Sequence, residues 1–331
     1  MILSKEPRMN KKSNRRRFIK TGLATAAGIG VLSQAGTMTN AEKLIANVTR
    51  SALPKRRLGK TGYDVGLFSL GGQSTVEQPN KLDESVEIIN RAIDLGVNYI
   101  DTAASYGRGI SEQYIGEVMK ERRDEVFLAT KSHDRSYDGT MRLFEQSLKS
   151  LQTDHVDLYQ VHNVRTQNDL DRMFAEDGVM RAFEKLKSEG VVRFLGITGH
   201  RDPAILKKAI EQYEYDCLLM ALNAADIHNA PFQNDLLDTA VKKDLGIIAM
   251  KIPARGRIFR SDGITSMEQA LGYVYTFPIS TAIVGITTID QLEENVQITR
   301  SFQKYDDEKM NEIAQLTAHY YEDASWYKMQ W

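Results

Sequence analysis

The chain has 331 residues, 42% hydrophobic and 26% charged, and its 43 basic side chains almost cancel 44 acidic ones to leave a formal net charge of -1. That balance, with no basic stripe beyond the N-terminus, excludes nucleic acid as an expected partner, while the length leaves room for a sizeable core in one large or two ordinary domains. The single cysteine, Cys217, excludes an internal disulfide framework and an all-cysteine metal site, and the apolar run that holds it predicts a buried strand.

Taken in order, the chain opens with a basic region, Arg15-Arg16-Arg17-Phe18-Ile19-Lys20, followed by a weakly apolar stretch from Thr21 to Ala35. The stretch is too short and too rich in Gly and Ala to cross a bilayer as a helix, so no stable membrane insertion is expected. The basic run resembles the twin-arginine export signal, with Asn14 where Ser or Thr is usual. This resemblance implies use of the twin-arginine export machinery and a periplasmic location, with cleavage after Ala35 and Met9 as an alternative start to Met1. The competing reading is a basic tail on a cytoplasmic protein. Residues 1–35 are thus read as a signal, 36–54 as a linker containing Pro54, and 55–331 as one domain.

That domain begins with a predicted hairpin, Arg56 to Leu58 and Tyr63 to Val65 around a Gly59-Lys60-Thr61-Gly62 turn. A unit of apolar run, loop and amphipathic helix then repeats. The runs are Val65–Leu70, Val97–Asp101, Val126–Lys131, Val156–Val161, Val192–Thr198, Cys217–Asn223, Gly246–Lys251 and Thr281–Gly285. Between them, Glu84–Leu95 puts Val86, Ile89, Ala92 and Ile93 on one face, and Asp177–Lys187 and Ala204–Tyr213 carry the same helical period. Eight short, nearly all-apolar runs alternating with helices predict an α/β fold, a (β/α)8 TIM barrel with an N-terminal β-hairpin. A doubly wound sheet is the competitor, but Leu70-Gly71-Gly72-Gln73 is a poor match to GxGxxG. Asp306–Tyr321 predicts an extra C-terminal helix, followed by an aromatic tail with Trp326, Tyr327 and Trp331.

In such a barrel the chemistry sits at the carboxyl ends of the strands. Those ends carry Asp101 and then Tyr106, Lys131, His162, Thr198 and His200, Asn223, and Lys251. An ammonium near a phenol lowers the phenol's pKa, and a carboxylate paired with the ammonium holds it in place. A tyrosine so placed exchanges a proton near neutral pH, and a histidine beside it polarises a carbonyl oxygen. This equipment suits addition of a proton and a hydride across C=O, the hydride coming from a cofactor. The six histidines show no tight ligand spacing, so no metal site is expected.

Several stretches together resemble the aldo-keto reductase family, from about Arg56 to Phe302. They are Arg57-Leu58-Gly59-Lys60-Thr61-Gly62, Asp101-Thr102-Ala103 with Tyr106-Gly107, Ser111-Glu112 and Gly116, then Lys131, Asp157 to His162, Gly190 to Gly196 and Glu293-Glu294-Asn295. The resemblance implies a nicotinamide cofactor across the barrel rim, Tyr106 as general acid/base, Lys131 and Asp101 tuning it, and His162 orienting the carbonyl. NADP is the expected cofactor, with NAD as the alternative. Gly72, Gln73, Thr198, His200, Asn223, Lys251, Pro253, Arg255, Gly285, Thr287, Gln291, Glu294 and Asn295 are the expected cofactor contacts.

Three places depart from the family pattern. Thr198-Gly199-His200 replaces Ser-Asn, the aromatic that stacks on the nicotinamide gives way to Lys251, and no Lys or Arg lies in Gly285–Gln291 to meet a 2′-phosphate. The substrate is expected to be a small carbonyl compound or alcohol, which includes sugars. The alternatives are a non-catalytic, cofactor-binding regulatory subunit of the same fold, and a lyase or isomerase using Lys131 as a Schiff base.

Overall fold

The computed structural model describes residues 52–330; the export-type segment 1–35, the linker as far as Ser51, and Trp331 lie outside the described residues. An antiparallel hairpin leads in, β1 (Lys55–Arg57) against β2 (Asp64–Gly66), with Lys55 opposite Gly66. Its short helical turn, Gly59–Thr61, ends on Gly62 at φ 77°, a left-handed conformation that glycine adopts without a Cβ clash.

Eight parallel strands follow: β3 (Phe68–Ser74), β4 (Tyr99–Asp101), β5 (Phe127–Ser132), β6 (Val156–Val161), β7 (Val192–Gly199), β8 (Cys217–Ala221), β9 (Gly246–Met250) and β10 (Thr281–Ile286). They pair in chain order and β10 returns to β3, so the sheet closes into the expected (β/α)8 barrel. The predicted first run, Val65–Leu70, divides into two elements. Val65 closes the hairpin, Leu67 N donates to Pro54 O at 2.7 Å, and the barrel strand starts at Phe68 and runs on to Ser74.

Alternation along the strands sorts the apolar side chains into two layers. Tyr99, Phe127, Ala129, Leu158, Leu219 and Ile248 fill the barrel, and Leu58 and Val65 of the hairpin join them and plug its lower end. Ile100, Leu128, Tyr159, Ile197 and Leu218 point outward and are equally buried, because helices cover them. Full burial of a side chain such as Leu58 is worth about 1.5–3 kcal/mol. The interior is therefore a packed core, and the space for chemistry in the barrel lies at its carboxyl-end rim.

The helix Leu82–Asp94 buries Ser85, Ile88, Ile89, Ala92 and Ile93. Val86, expected on that face, is only partly buried, and Ile88 takes its place. The other predicted helices appear as Val179–Ser188 and Pro203–Gln212, the latter capped by Asp202 with proline in its first turn. The extra helix spans Asp307–Leu316 and stops short of Tyr321. Thr317 ends it by donating its hydroxyl to Ala224 O at 2.9 Å, which ties the tail to the loop after β8. Two short helices, Tyr321–Ala324 and Tyr327–Gln330, complete the described chain.

Candidate active site

Asp101 is the last residue of β4, and Lys131 the penultimate residue of β5; both are 1% exposed. After Asp101 the chain turns through Gly107, Arg108 and Gly109, all at positive φ, to start the helix Ile110–Arg122. At Gly107 a Cβ would lie 2.3 Å from Glu77 O, so glycine is required there. That turn brings Tyr106 back over the strand tips. The neighbouring Ser111 and Glu112 belong to the scaffold: Ser111 Oγ donates to Gly72 O at 2.7 Å, and Glu112 accepts from Thr130 Oγ1 at 2.6 Å.

The Lys131 ammonium donates to Asp101 Oδ1, to Thr102 O at 2.7 Å and to Tyr106 Oη at 3.3 Å. The second carboxylate oxygen of Asp101 accepts from Gln160 Nε2 at 3.0 Å. Burial alone pushes Lys131 down, but Asp101 and Tyr106 together outweigh it and hold the ammonium above the ordinary lysine range. Burial raises the Asp101 carboxyl, opposed by Lys131 and Gln160.

Tyr106 departs from expectation. Its phenol lies above its ordinary pKa, because burial outweighs the lowering effect of Lys131. The resting site therefore holds a protonated phenol, ready to act as an acid, with the ammonium limiting the rise. His162 stands edge-on to the Tyr106 ring, centroids 5.7 Å apart, with Ser105 Oγ 3.4 Å from its Nδ1. Burial and then the charge of Lys131 hold this imidazole well below its ordinary pKa, so it is neutral and Nε2 is left for a substrate oxygen.

Asp101 and Tyr106 lie in the wall of a cavity of about 710 Å³, within the usual range of cofactor sites, roughly 300–1,000 Å³. Gly72 and Gln73 from the end of β3, and Lys251, Pro253 and Arg255 after β9, line it. So do Gly285, Thr287, Gln291, Glu294 and Asn295 at and after β10. Of these, Thr287 precedes a 13-residue helix, Ile289–Ser301, capped by Thr288, and Gln291 lies in its first turn. Backbone strain gathers at this rim: Ser74, Lys251 and Arg255 line the cavity at φ 66°, 67° and 56°.

The remaining expected contacts sit outside the lining. Thr198 is buried and its hydroxyl accepts from Asn163 N at 2.8 Å. Asn223 spends its amide on Lys251 O at 3.0 Å and Tyr327 Oη at 2.9 Å. His200 packs edge-on against Tyr327, centroids 5.8 Å apart, and burial takes it down to about 3.

Two contributors escaped sequence reasoning, Gln160 and Glu77, and a third, Tyr327, was legible only as part of the aromatic tail. Gln160 was visible only as a polar residue that shares its strand with Asp157. Glu77 lines the cavity and reaches Arg255 at 3.9 Å. Tyr327, rather than a tryptophan, joins the tail to the rim: its hydroxyl donates to Asp226 Oδ1 at 2.8 Å, beside Lys328 Nζ at 2.7 Å from the same oxygen. Trp326 instead packs under the Arg257 guanidinium, 4.8 Å from its ring.

Comparison with known proteins agrees with this geometry. Residues 65–262 match the model of the aldo/keto reductase family. The uncharacterized oxidoreductase YqkF of Bacillus subtilis (strain 168) is 28% identical over 288 residues, spanning 73% of this chain and 90% of its own. The L-galactose dehydrogenase of Arabidopsis thaliana is 27% identical over 304 residues, spanning 78% and 92%. Among solved structures, the holo form of aldo-keto reductase AKR11C1 from Bacillus halodurans superposes with a TM-score of 0.69 at 25% identity, covering 80% of this chain and 96% of that one. An aldo-keto reductase from Klebsiella pneumoniae, solved with NADPH, shares the fold at a TM-score of 0.65 and 22% identity, covering 80% and 95%.

Proposed function

The chain belongs to the aldo/keto reductase family of oxidoreductases, and from that premise we propose that it reduces a small aldehyde, ketone or sugar carbonyl, or oxidises the matching alcohol, with Tyr106 exchanging the proton. The observation that carries this reading is the Tyr106 hydroxyl, 3.3 Å from a buried ammonium and set in the wall of a cofactor-sized cavity.

The cavity fits a dinucleotide by the chemistry of its donors. Arg255 supplies a cation, the start of the helix Ile289–Ser301 supplies N–H groups, and Gln291 and Asn295 supply amides. NADP, with which the Klebsiella relative was solved, is the cofactor expected here. No Lys or Arg lies between Gly285 and Asn295, so that segment offers a 2′-phosphate neutral donors alone. When bound, the nicotinamide supplies or takes the hydride.

This chain's residues do the rest. Tyr106 Oη gives its proton to the carbonyl oxygen in reduction and takes it back in oxidation. Lys131 stabilises the phenolate left behind, and Asp101 keeps Lys131 charged and aimed. Neutral His162 positions the oxygen through Nε2.

The sugar reading draws support from the likeness to an L-galactose dehydrogenase. The N-terminal twin-arginine-type segment supports export of the folded enzyme to the periplasm, with its cofactor held tightly and hydride passed between two substrates in turn. The deciding experiment compares NADPH oxidation by the wild type and Tyr106→Phe across a panel of aldehydes. A loss of about 10²–10⁴-fold is expected; equal rates sink the assignment.

A further inference from the structure

Lys251 follows β9 in the left-handed region, φ 67°, a conformation that a lysine keeps only where its surroundings impose it. Here they do. Its carbonyl oxygen accepts from Asn223 Nδ2 and from Ala254 N, each at 3.0 Å. The held side chain lines the cavity with Tyr106, and its ammonium lies 5.9 Å from the centre of the Tyr327 ring.

Charged groups face it from several elements. Lys131 from β5 and Arg255 from its own loop repel its charge, and Glu77 from the loop after β3 attracts it. His200 at the end of β7 lies within range of its field and is neutral. Asp101 and Tyr106 share the cavity wall, and Asp101 is engaged by Lys131. Burial first, then Arg255 and Lys131, bring Lys251 down to about 7.

The proton from Tyr106 and the hydride go to adjacent atoms of one carbonyl. The hydride-bearing ring must therefore sit in contact with a substrate held at Tyr106, in the cavity whose wall Tyr106 shares with Lys251. We propose that the Lys251 side chain lies against the nicotinamide and sets the cofactor's redox preference, disfavouring the cationic oxidised ring relative to the neutral reduced one. This rests on the nicotinamide reading above. A lysine that met the pyrophosphate instead would treat the two redox forms alike, since both carry the same phosphates.

The test is the ratio of dissociation constants, NADP⁺ over NADPH, measured by calorimetry on the purified full chain at pH 6 and pH 8.5. Titration of the cofactor's own phosphates cancels in this ratio. In the wild type the ratio should be larger at pH 6 by roughly tenfold or more, the effect of a like charge within contact range. Lys251→Met should hold it low at both pH values, and Lys251→Arg should hold it high at both, because a guanidinium stays charged. If both forms bind and the ratio is the same in wild type and Lys251→Met, the assignment is overturned while the nicotinamide reading stands. If neither form binds the wild type, the nicotinamide reading falls and this assignment with it.

Discussion

Lys131→Met separates charge from shape at the centre of the site. The thioether fills much of the lysine's volume, but the Asp101 carboxylate loses its ammonium and keeps Gln160 Nε2 at 3.0 Å as its side-chain donor. With 1% of Asp101 exposed, little water reaches it as a substitute. Breaking a buried pair in this way costs about 3–5 kcal/mol, a large part of the roughly 5–15 kcal/mol by which a domain is stable. Protonation relieves the cost, and its sign is fixed by proton counts. Native Asp101 in the variant holds its proton to a higher pH than the unfolded chain does, so stability falls as pH rises through that interval. The deficit should stand near its full value at pH 8 and shrink by about 1.4 kcal/mol for each pH unit over which the native carboxyl is protonated and the unfolded one is not. Urea unfolding of wild type and variant at pH 5 and pH 8 measures this directly. Asp101→Asn in the Lys131→Met background should recover most of the deficit at pH 8 and remove its pH dependence. Equal deficits at both pH values, unrelieved by the second substitution, would refute the charge argument and leave only lost packing.

The other predictions address the rim, the tail and the core. In Gly72→Ala the new Cβ would lie 2.5 Å from Ser111 Oγ and 2.9 Å from Asp101 O, so about 1–3 kcal/mol of overpacking should lower the melting midpoint; an unchanged midpoint would contradict it. Asp226→Ala leaves the buried Lys328 ammonium on the carbonyls of Asn229 and Ala230 alone and removes the acceptor of the Tyr327 hydroxyl. The tail should then detach, read as a red shift of tryptophan emission and tryptic cleavage after Lys328, and a tail that stays protected would disprove the anchor. Burial keeps the Cys217 thiol well above its ordinary pKa, so a thiol reagent should label the native protein no faster than it unfolds. Rapid native labelling would contradict that burial.

How much the amino-acid order alone determines can be judged residue by residue. Alternating apolar runs and helical periods suffice for a (β/α)8 barrel, because strand and helix patterning act within ten residues of chain. Asp101, Lys131 and His162 are legible for the same reason: each lies at or just after a strand end, and the barrel puts all such ends on one rim. Tyr106 follows from its place in the short loop after the strand-end Asp101. What lies beyond that reach was decided by the tertiary structure. Gln160 reaches Asp101 across 59 residues, and Tyr327 reaches Asp226 across 101; no local pattern records either contact. Thr198, His200 and Asn223 stand behind the cavity lining because the folded tail and neighbouring loops engage them. The pKa of Tyr106 moved opposite to the expectation for the same physical reason. An ammonium nearby can be read from spacing, but desolvation is a sum over every chain segment that excludes water, and only the closed barrel with its rim loops sets that sum.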